Sequence, residues 1–115
     1  MKTSVYITVD TTSMSLLFSI VELYNIGDCC PDEIIINACG VDDEESLGIL
    51  RKISDKKHEN VKIFARKTFD SIPDNTNYAK SLTTHEIVIF HDPNVLPSVK
   101  RVEIVKNYIQ KYLNN

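Results

Sequence analysis

Near the end of the chain, a carboxylate and a carboxamide stand two residues apart, directly after an apolar run. Asp92 and Asn94 flank Pro93, and residues 87–90 before them are all Ile, Val or Phe. Mg²⁺ and Mn²⁺ prefer oxygen ligands and often share them with substrate phosphates, so this spacing suits a divalent cation. The same residues also form an Asx turn readily, and such a turn needs no ligand. The local sequence supports both interpretations equally.

His91, next to Asp92, is a candidate for a general base. A base must come within about 3 Å of the hydroxyl that it deprotonates. His91 falls, however, at the end of an apolar strand, where a histidine whose hydrogen bonds are satisfied is the more frequent finding. No motif gives the catalytic role to another residue, so the sequence leaves the catalytic group unknown.

The elements that position these residues follow from hydrophobic periodicity. Four short segments rich in Val, Ile, Phe and Tyr alternate with four helical patterns in the order βαβαβαβα. The strands are predicted at residues 4–9, 33–37, 61–65 and 86–90. Most of them are too apolar for a sheet with one solvated face, which favours a buried and mostly parallel sheet.

The helices are predicted from apolar spacing and terminal residues. The first follows residues 10–13, which offer N-cap side chains, and ends by Gly27. The second follows the acidic residues 42–45 and ends in basic residues, as the helix dipole prefers. The third covers residues 75–82, and the last covers 98–113, after Pro97. Its predicted inner face consists of Val102, Val105, Tyr108, Ile109 and Tyr112.

Alternating strands and helices at this spacing imply right-handed crossovers and a three-layer αβα sandwich, an α/β fold. Ligands bind beyond the carboxyl ends of the strands in such sheets. Those ends are residues 10–13, 37–43, 65–70 and 91–94. We therefore expect any site to draw on these four loops.

Length and composition limit the classes of function. The chain has 115 residues, which suits a single domain over residues 1–115, and its formal charge of -3 argues against nucleic acid as a partner. No apolar stretch approaches the roughly 20 residues of a membrane span. The three cysteines lack the spacing of a disulfide framework or a zinc site. Without a signal-peptide pattern, we expect a cytoplasmic protein.

The tail of the chain resembles the GT-A-fold glycosyltransferases, especially the inverting family-two type. In EIVIFHDPNVLPSVKRVEIVKNYI an apolar strand leads into a DxN motif, a proline and an Arg-bearing helix, where the family has its metal-binding DxD. Asp92 falls on the first Asp of that motif and Asn94 on the second. PDEIIINACGVDDEES looks like a strand and turn of the family, and SVYITVDTTSMSLLFSIVELY resembles its first strand and helix. The resemblance therefore covers nearly the whole chain.

The resemblance implies a GT-A/Rossmann-like half that binds a nucleotide sugar. Its donor would be of the UDP or GDP type, with Mn²⁺ or Mg²⁺ held by Asp92 and Asn94, and the sugar acceptor is unknown. By the same resemblance, the nucleotide-binding residues are Thr8, Val9, Asp10, Thr11, Asn37, Cys39, Asn77 and Asp92.

Departures from the family pattern support an alternative. Ala38 and Cys39 stand where the family carries aspartates for the base, and Asn94 brings one negative charge fewer to the metal than Asp. From the sequence we expect no counterpart to the family's acceptor-binding half, which carries the catalytic base. The alternative is a catalytically inactive GT-A-like module for nucleotide binding or protein assembly. A homodimer could supply the missing half through an open sheet edge.

Overall fold

A computed structural model describes residues 1–26, 30–67 and 71–113, without the side chain of Ile72. The predicted order of strands and helices is confirmed. The elements are β1 (Thr3–Val9), α1 (Leu17–Tyr24), β2 (Glu33–Cys39), α2 (Glu44–Asp55), β3 (Val61–Arg66), α3 (Ile72–Ser81), β4 (Ile87–Phe90) and α4 (Arg101–Leu113). Gly27, the predicted end of the first helical unit, and residues 68–70 of the loop after β3 lie outside the described residues.

The four strands form one parallel sheet in the order β3-β2-β1-β4. Ser4 pairs with Glu33 on one side of β1, and Thr3 pairs with Ile87 on the other. This confirms the predicted α/β fold with a parallel sheet. Because β1 lies between β2 and β4, the connections on its two sides run in opposite directions, which opens a crevice at the carboxyl ends of the strands.

The core lies on both faces of the sheet, as the apolar strands predict. The larger cluster packs beneath α1, α2 and α4. Its buried members include Val5, Ile7, Leu17, Ile20, Ile36, Ile53 and Val102. Tyr6, Ile35 and Ala79 form a smaller cluster beneath α3 on the opposite face. Successive side chains of a strand point to opposite faces, so β1 and β2 serve both clusters, and each buried isoleucine contributes about 1.5–3 kcal/mol.

The segment before α1 departs from its prediction. The N-cap of α1 is Leu16, which makes no side-chain capping bond, so the expected capping by residues 10–13 is wrong. Asp10 Oδ1 instead accepts hydrogen bonds from the Thr12 backbone N–H (2.8 Å) and hydroxyl (2.6 Å). An Asp side chain serves an Asx turn as readily as a helix cap, and here it closes the turn.

The last two helices also differ in detail. The start of α3 is earlier than predicted because Ser71 caps it, with the Ser71 hydroxyl accepting from the Asp74 N–H at 3.3 Å. Tyr108 and Tyr112, predicted on the inner face of α4, are 67% and 75% exposed. Helical geometry places Tyr108 roughly 90° from the centre of the face that packs on the core, at its edge.

The helix α4 has 13 residues. Among the helices in the described ranges, none combines the length and the apolar character that a bilayer crossing requires.

Candidate functional site

A pocket of about 340 Å³ opens at the carboxyl-terminal edge of the sheet, between the ends of β1 and β4. The loops after these two strands form its walls, together with one residue of α3. Its lining residues are Thr8, Val9, Asp10, Thr12, Ser13, Thr76, Phe90, Asp92, Pro93 and Asn94. The pocket thus occupies the crevice at which parallel α/β sheets bind ligands.

The pocket brings together about half of the residues predicted from the sequence. Those that line it are Thr8, Val9, Asp10, Asp92 and Asn94. The other predicted residues, Thr11, Asn37, Cys39 and Asn77, are not among its lining residues. Thr11 and Asn77 are exposed next to lining residues, whereas Asn37 and Cys39 are buried at the end of β2.

Sequence reasoning missed Ser13, Thr76 and Phe90 as lining residues. Ser13 belongs to the loop of residues 10–13, which the sequence predicts as part of any site, but it is not among the nucleotide-binding residues that the resemblance implies. Thr76 lies on α3, and Phe90 is the last residue of β4 with 46% exposure. The sequence does carry a signal for Phe90, because an aromatic residue that ends an apolar strand lies at the carboxyl edge of the sheet, where ligands bind.

Asp10 places a negative charge in the pocket. The Thr12 hydroxyl, donating to its carboxylate at 2.6 Å, lowers the pKa of Asp10 below its usual value of 3.8. The Asp10 backbone N–H donates to the Ser13 hydroxyl at 3.0 Å, which fixes the turn at its other end. Asp10 is therefore ionised at neutral pH and is held in one orientation.

Asp92 and Asn94 form the Asx turn that the sequence left open. The Asn94 N–H donates to Asp92 Oδ1 at 2.9 Å, and the Val95 N–H donates to the Asp92 carbonyl at 3.1 Å. Both side chains are exposed at the pocket. A carboxylate accepts through two oxygens, so the turn leaves Oδ2 of Asp92 able to meet a cation.

The donor chemistry fits Mg²⁺ or Mn²⁺ that shares its ligands with a substrate. Asp92 and Asn94 offer one carboxylate and one amide oxygen. In the part of the chain that the structure describes, no three His, Cys, Asp or Glu side chains are grouped as a metal site. These cations commonly use one or two carboxylates and complete their shells with water and phosphate oxygens. The residues present therefore fit an ion bound together with a diphosphate.

His91 is buried beneath this turn, with 3% exposure. Its Nε2 lies 2.6 Å from the Val95 carbonyl oxygen and its Nδ1 lies 2.6 Å from the Tyr24 phenol oxygen. A carbonyl only accepts, so we assign the ring hydrogen to Nε2 and let the Tyr24 hydroxyl donate to Nδ1. Burial lowers the pKa of His91, which keeps the ring neutral. Both ring nitrogens are engaged within the protein, an arrangement typical of a structural histidine.

Asn37 supports the pocket from behind. Its Nδ2 donates to the Asn75 carbonyl at 3.0 Å, and the Thr8 hydroxyl donates to the same oxygen at 3.3 Å. Arg66, at the end of β3, donates to the Asn75 side-chain oxygen at 3.2 Å and stacks 4.2 Å from the ring centre of Tyr78. Asn75 therefore links the ends of β1, β2 and β3 through one helix.

Two solved structures are similar to this chain in fold. No protein-family model matches the chain, and no curated protein matches it. The crystal structure of S. aureus TarS 1–349 matches 96% of this chain with a TM-score of 0.74 at 20% identity. Mannosyltransferase PcManGT from Pyrobaculum calidifontis, in complex with GDP-Man and Mn²⁺, matches 86% of this chain with a TM-score of 0.67 at 12% identity. The chain has a GT-A-like glycosyltransferase fold.

The chain corresponds to one part of these larger structures. It covers 33% of the TarS chain and 29% of the mannosyltransferase chain. At these identities the likeness concerns the fold, which agrees with the resemblance seen in the sequence.

Proposed function

We propose that this chain is the nucleotide-sugar-binding domain of a metal-assisted glycosyltransferase that uses a UDP- or GDP-type donor. One observation carries the proposal: Asp10 and the Asp92–Asn94 turn, from loops far apart in the sequence, line one pocket at the carboxyl edge of the sheet. The fold supports it, because a mannosyltransferase with the same fold is complexed with GDP-Man and Mn²⁺.

In this proposal Asp92 and Asn94 hold Mn²⁺ or Mg²⁺. When bound, the ion supplies a positive charge that offsets the negative charge of the leaving diphosphate. Around it, Ser13 and Thr76 offer hydroxyl groups to the phosphates or the ribose. Thr8 also lines the pocket, with its hydroxyl hydrogen donated to the Asn75 carbonyl.

The four predicted residues outside the pocket lining have secondary places in the proposal. Thr11 and Asn77 extend the binding surface next to Thr12 and Thr76. Asn37 acts through Thr8, since both donate to the carbonyl of one α3 residue. Cys39 is fully buried, so its contribution is to the packing at the end of β2.

We also propose that two copies of this chain associate as a homodimer. Exposed apolar side chains such as Ile104 and Tyr108 leave a surface on α4 that a second copy would cover. Sedimentation velocity tests it, because a strict monomer at all concentrations contradicts a homodimer.

The competing proposal is a GT-A-like module that binds a nucleotide or a protein without transferring a sugar. Ala38 and Cys39 at the family's aspartate positions and Asn94 in the DxN motif favour it. Both proposals keep the fold, and they differ in whether a metal-dependent donor site operates.

Calorimetric titration with UDP, GDP and their common sugar conjugates separates the proposals. With Mn²⁺ present we expect binding in the micromolar range, and EDTA should remove most of it. Asp92→Ala should weaken the metal-dependent part of nucleotide binding at least about ten-fold, because it removes the only carboxylate among the two proposed metal ligands. Glu59→Gln, an exposed change in the loop before β3, is the matched control and should bind like the wild type.

Two results would contradict the donor-site proposal. Unchanged affinity in Asp92→Ala would exclude the metal assignment. No heat with any nucleotide, from protein shown to be folded, would favour the module without transferase activity.

A further inference from the structure

A buried chain of hydrogen bonds lies directly beneath the turn that carries Asp92 and Asn94. The Tyr24 phenol oxygen, on α1, lies 2.6 Å from His91 Nδ1, and His91 Nε2 lies 2.6 Å from the Val95 carbonyl oxygen. The Tyr24 and His91 rings meet edge to face, with centres 5.2 Å apart and planes at 82°. Both residues are 3% exposed, so water does not compete for these bonds.

His91 fixes the turn at both of its ends. The His91 backbone N–H donates to the Tyr6 carbonyl at 3.0 Å, which fixes the start of the turn to β1. The His91 side chain then reaches forward to Val95 and fixes its end. Asp92, Asn94 and Val95 are exposed, so packing around their own side chains gives the turn little support.

Burial keeps the Tyr24 phenol protonated, against the opposing effect of the Arg101 guanidinium. The Arg101 guanidinium, at the start of α4, donates to the Phe90 carbonyl at 3.3 Å, one residue before His91. Burial raises the pKa of Tyr24 to about 12, so the phenol keeps the proton that it donates. The imidazole is therefore an acceptor toward α1 and a donor toward the turn.

We propose that Tyr24 and His91 are positioning residues that orient the Asp92 carboxylate for a divalent cation through the Tyr24–His91–Val95 clamp. This inference rests on the proposed metal-binding role of Asp92 and Asn94. A turn fixed before the ion arrives loses less conformational freedom on binding, and groups that orient metal ligands typically change metal affinity by about 10–100-fold.

Tyr24→Phe tests the clamp with the least disturbance, because it removes one hydroxyl and keeps the ring. We expect Mn²⁺ affinity, measured by electron paramagnetic resonance of the free ion with GDP or UDP present, to fall about ten-fold. Nucleotide affinity in EDTA should stay unchanged, which a general loss of structure would not allow. Tyr108→Phe makes the same change on an exposed tyrosine and should match the wild type.

His91 provides the second arm. His91→Ala should weaken Mn²⁺ binding at least as much as Tyr24→Phe, whereas His91→Gln should restore most of it. A glutamine amide can donate to the Val95 carbonyl and accept from the Tyr24 hydroxyl. Equal losses in both His91 variants would contradict a role in hydrogen bonding.

A measurement on the metal-free protein separates this inference from the proposed function. Nitrogen-15 NMR should show the Nε2–H form of His91, and the backbone order of Asp92 and Asn94 should fall in Tyr24→Phe. Unchanged order overturns the clamp, even if the wild type binds Mn²⁺. Lower order with unchanged Mn²⁺ affinity overturns its positioning role. An ordered turn in a folded wild type that binds no Mn²⁺ with either nucleotide overturns the proposed function and, with it, the purpose of the clamp.

Discussion

Glu33 and Lys62 form an ion pair in which Lys62 Nζ lies 2.7 Å from Glu33 Oε2, although the Glu33 side chain is 1% exposed. The other carboxylate oxygen accepts from the Ser4 hydroxyl at 2.8 Å and the Thr84 N–H at 2.9 Å. These partners come from β1, β3 and the loop before β4. The Glu33 carboxylate therefore links β1, β3 and the loop before β4 at the amino-terminal edge of the sheet, opposite the pocket.

The stability of the protein should fall in acid because of Glu33. Burial alone would raise the pKa of Glu33, but the bonds from Lys62, Ser4 and Thr84 hold it at about 2, against a usual 4.5. The unfolded chain therefore takes up the proton first as the pH falls. The contribution is present above about pH 4.5 and is lost toward pH 2, and it amounts to roughly 3 kcal/mol.

Urea unfolding from pH 7 to pH 2.5 measures this loss. Glu33→Gln should be less stable at pH 7, because Lys62 loses its charged partner, and its stability should vary less between pH 5 and 2.5. The same slope in both proteins would show that another carboxylate controls acid unfolding.

Two isoleucines offer a matched test of the core. Ile36 is fully buried in β2, whereas Ile104 on α4 is 59% exposed. Ile36→Val should lower the free energy of unfolding by about 1 kcal/mol, because it leaves a methyl-sized gap in a close-packed sheet. Ile104→Val should change it by less than about 0.5 kcal/mol. Chemical denaturation of both variants checks this, and equal losses would contradict the placement of α4.

The charge of Asp10 should matter for ligand binding and little for folding. Asp10→Asn keeps a side-chain oxygen for the bonds from Thr12, so the turn and the melting temperature should persist. Removing a negative charge from the pocket should reduce the difference in nucleotide affinity between Mn²⁺ and EDTA several-fold. Calorimetry of the two proteins measures this, with Asp55→Asn on the surface of α2 as the control. If the difference in nucleotide affinity between Mn²⁺ and EDTA is unchanged, the charge of Asp10 does not contribute to metal-dependent binding.

Cysteine labelling tests whether Cys39 meets a ligand. Cys39 is fully buried, whereas Cys30 is partly exposed, so alkylation followed by site-resolved mass spectrometry should modify Cys30 much faster. Adding a nucleotide should leave the slow rate at Cys39 unchanged. Rapid modification of Cys39 that a nucleotide suppresses would return this residue to the pocket.

The sequence predicted the framework because the framework depends on local composition. Ile34, Ile35 and Ile36 are fully buried in β2, and such an apolar run has few alternatives to a central strand. The positions of Asp10 and Asp92 at one edge then follow, since the carboxyl ends of parallel strands meet there.

What the sequence could not predict depends on contacts across the fold. Tyr24 and His91 are 67 residues apart, and their hydrogen bond is set by the angle at which α1 crosses the sheet. The use of Asp10 in a turn and not in a helix cap is a choice between two bonds of similar energy. The local sequence carries no information on the crossing angle of α1, and too little to decide whether Asp10 closes a turn or caps a helix.

The place of β1 at the middle of the sheet has a consequence for biosynthesis. Ser4 finds its partner Glu33 early in translation, but Thr3 must wait for Ile87, near the end of the described chain. A nascent chain can therefore build three strands while one wall of the pocket is still in the ribosome. Pairing over such a separation is slow, because the intervening chain must first be brought together. Binding of the proposed nucleotide would thus report that β4 has docked on β1, because β4 and the loop after it form one wall of the pocket.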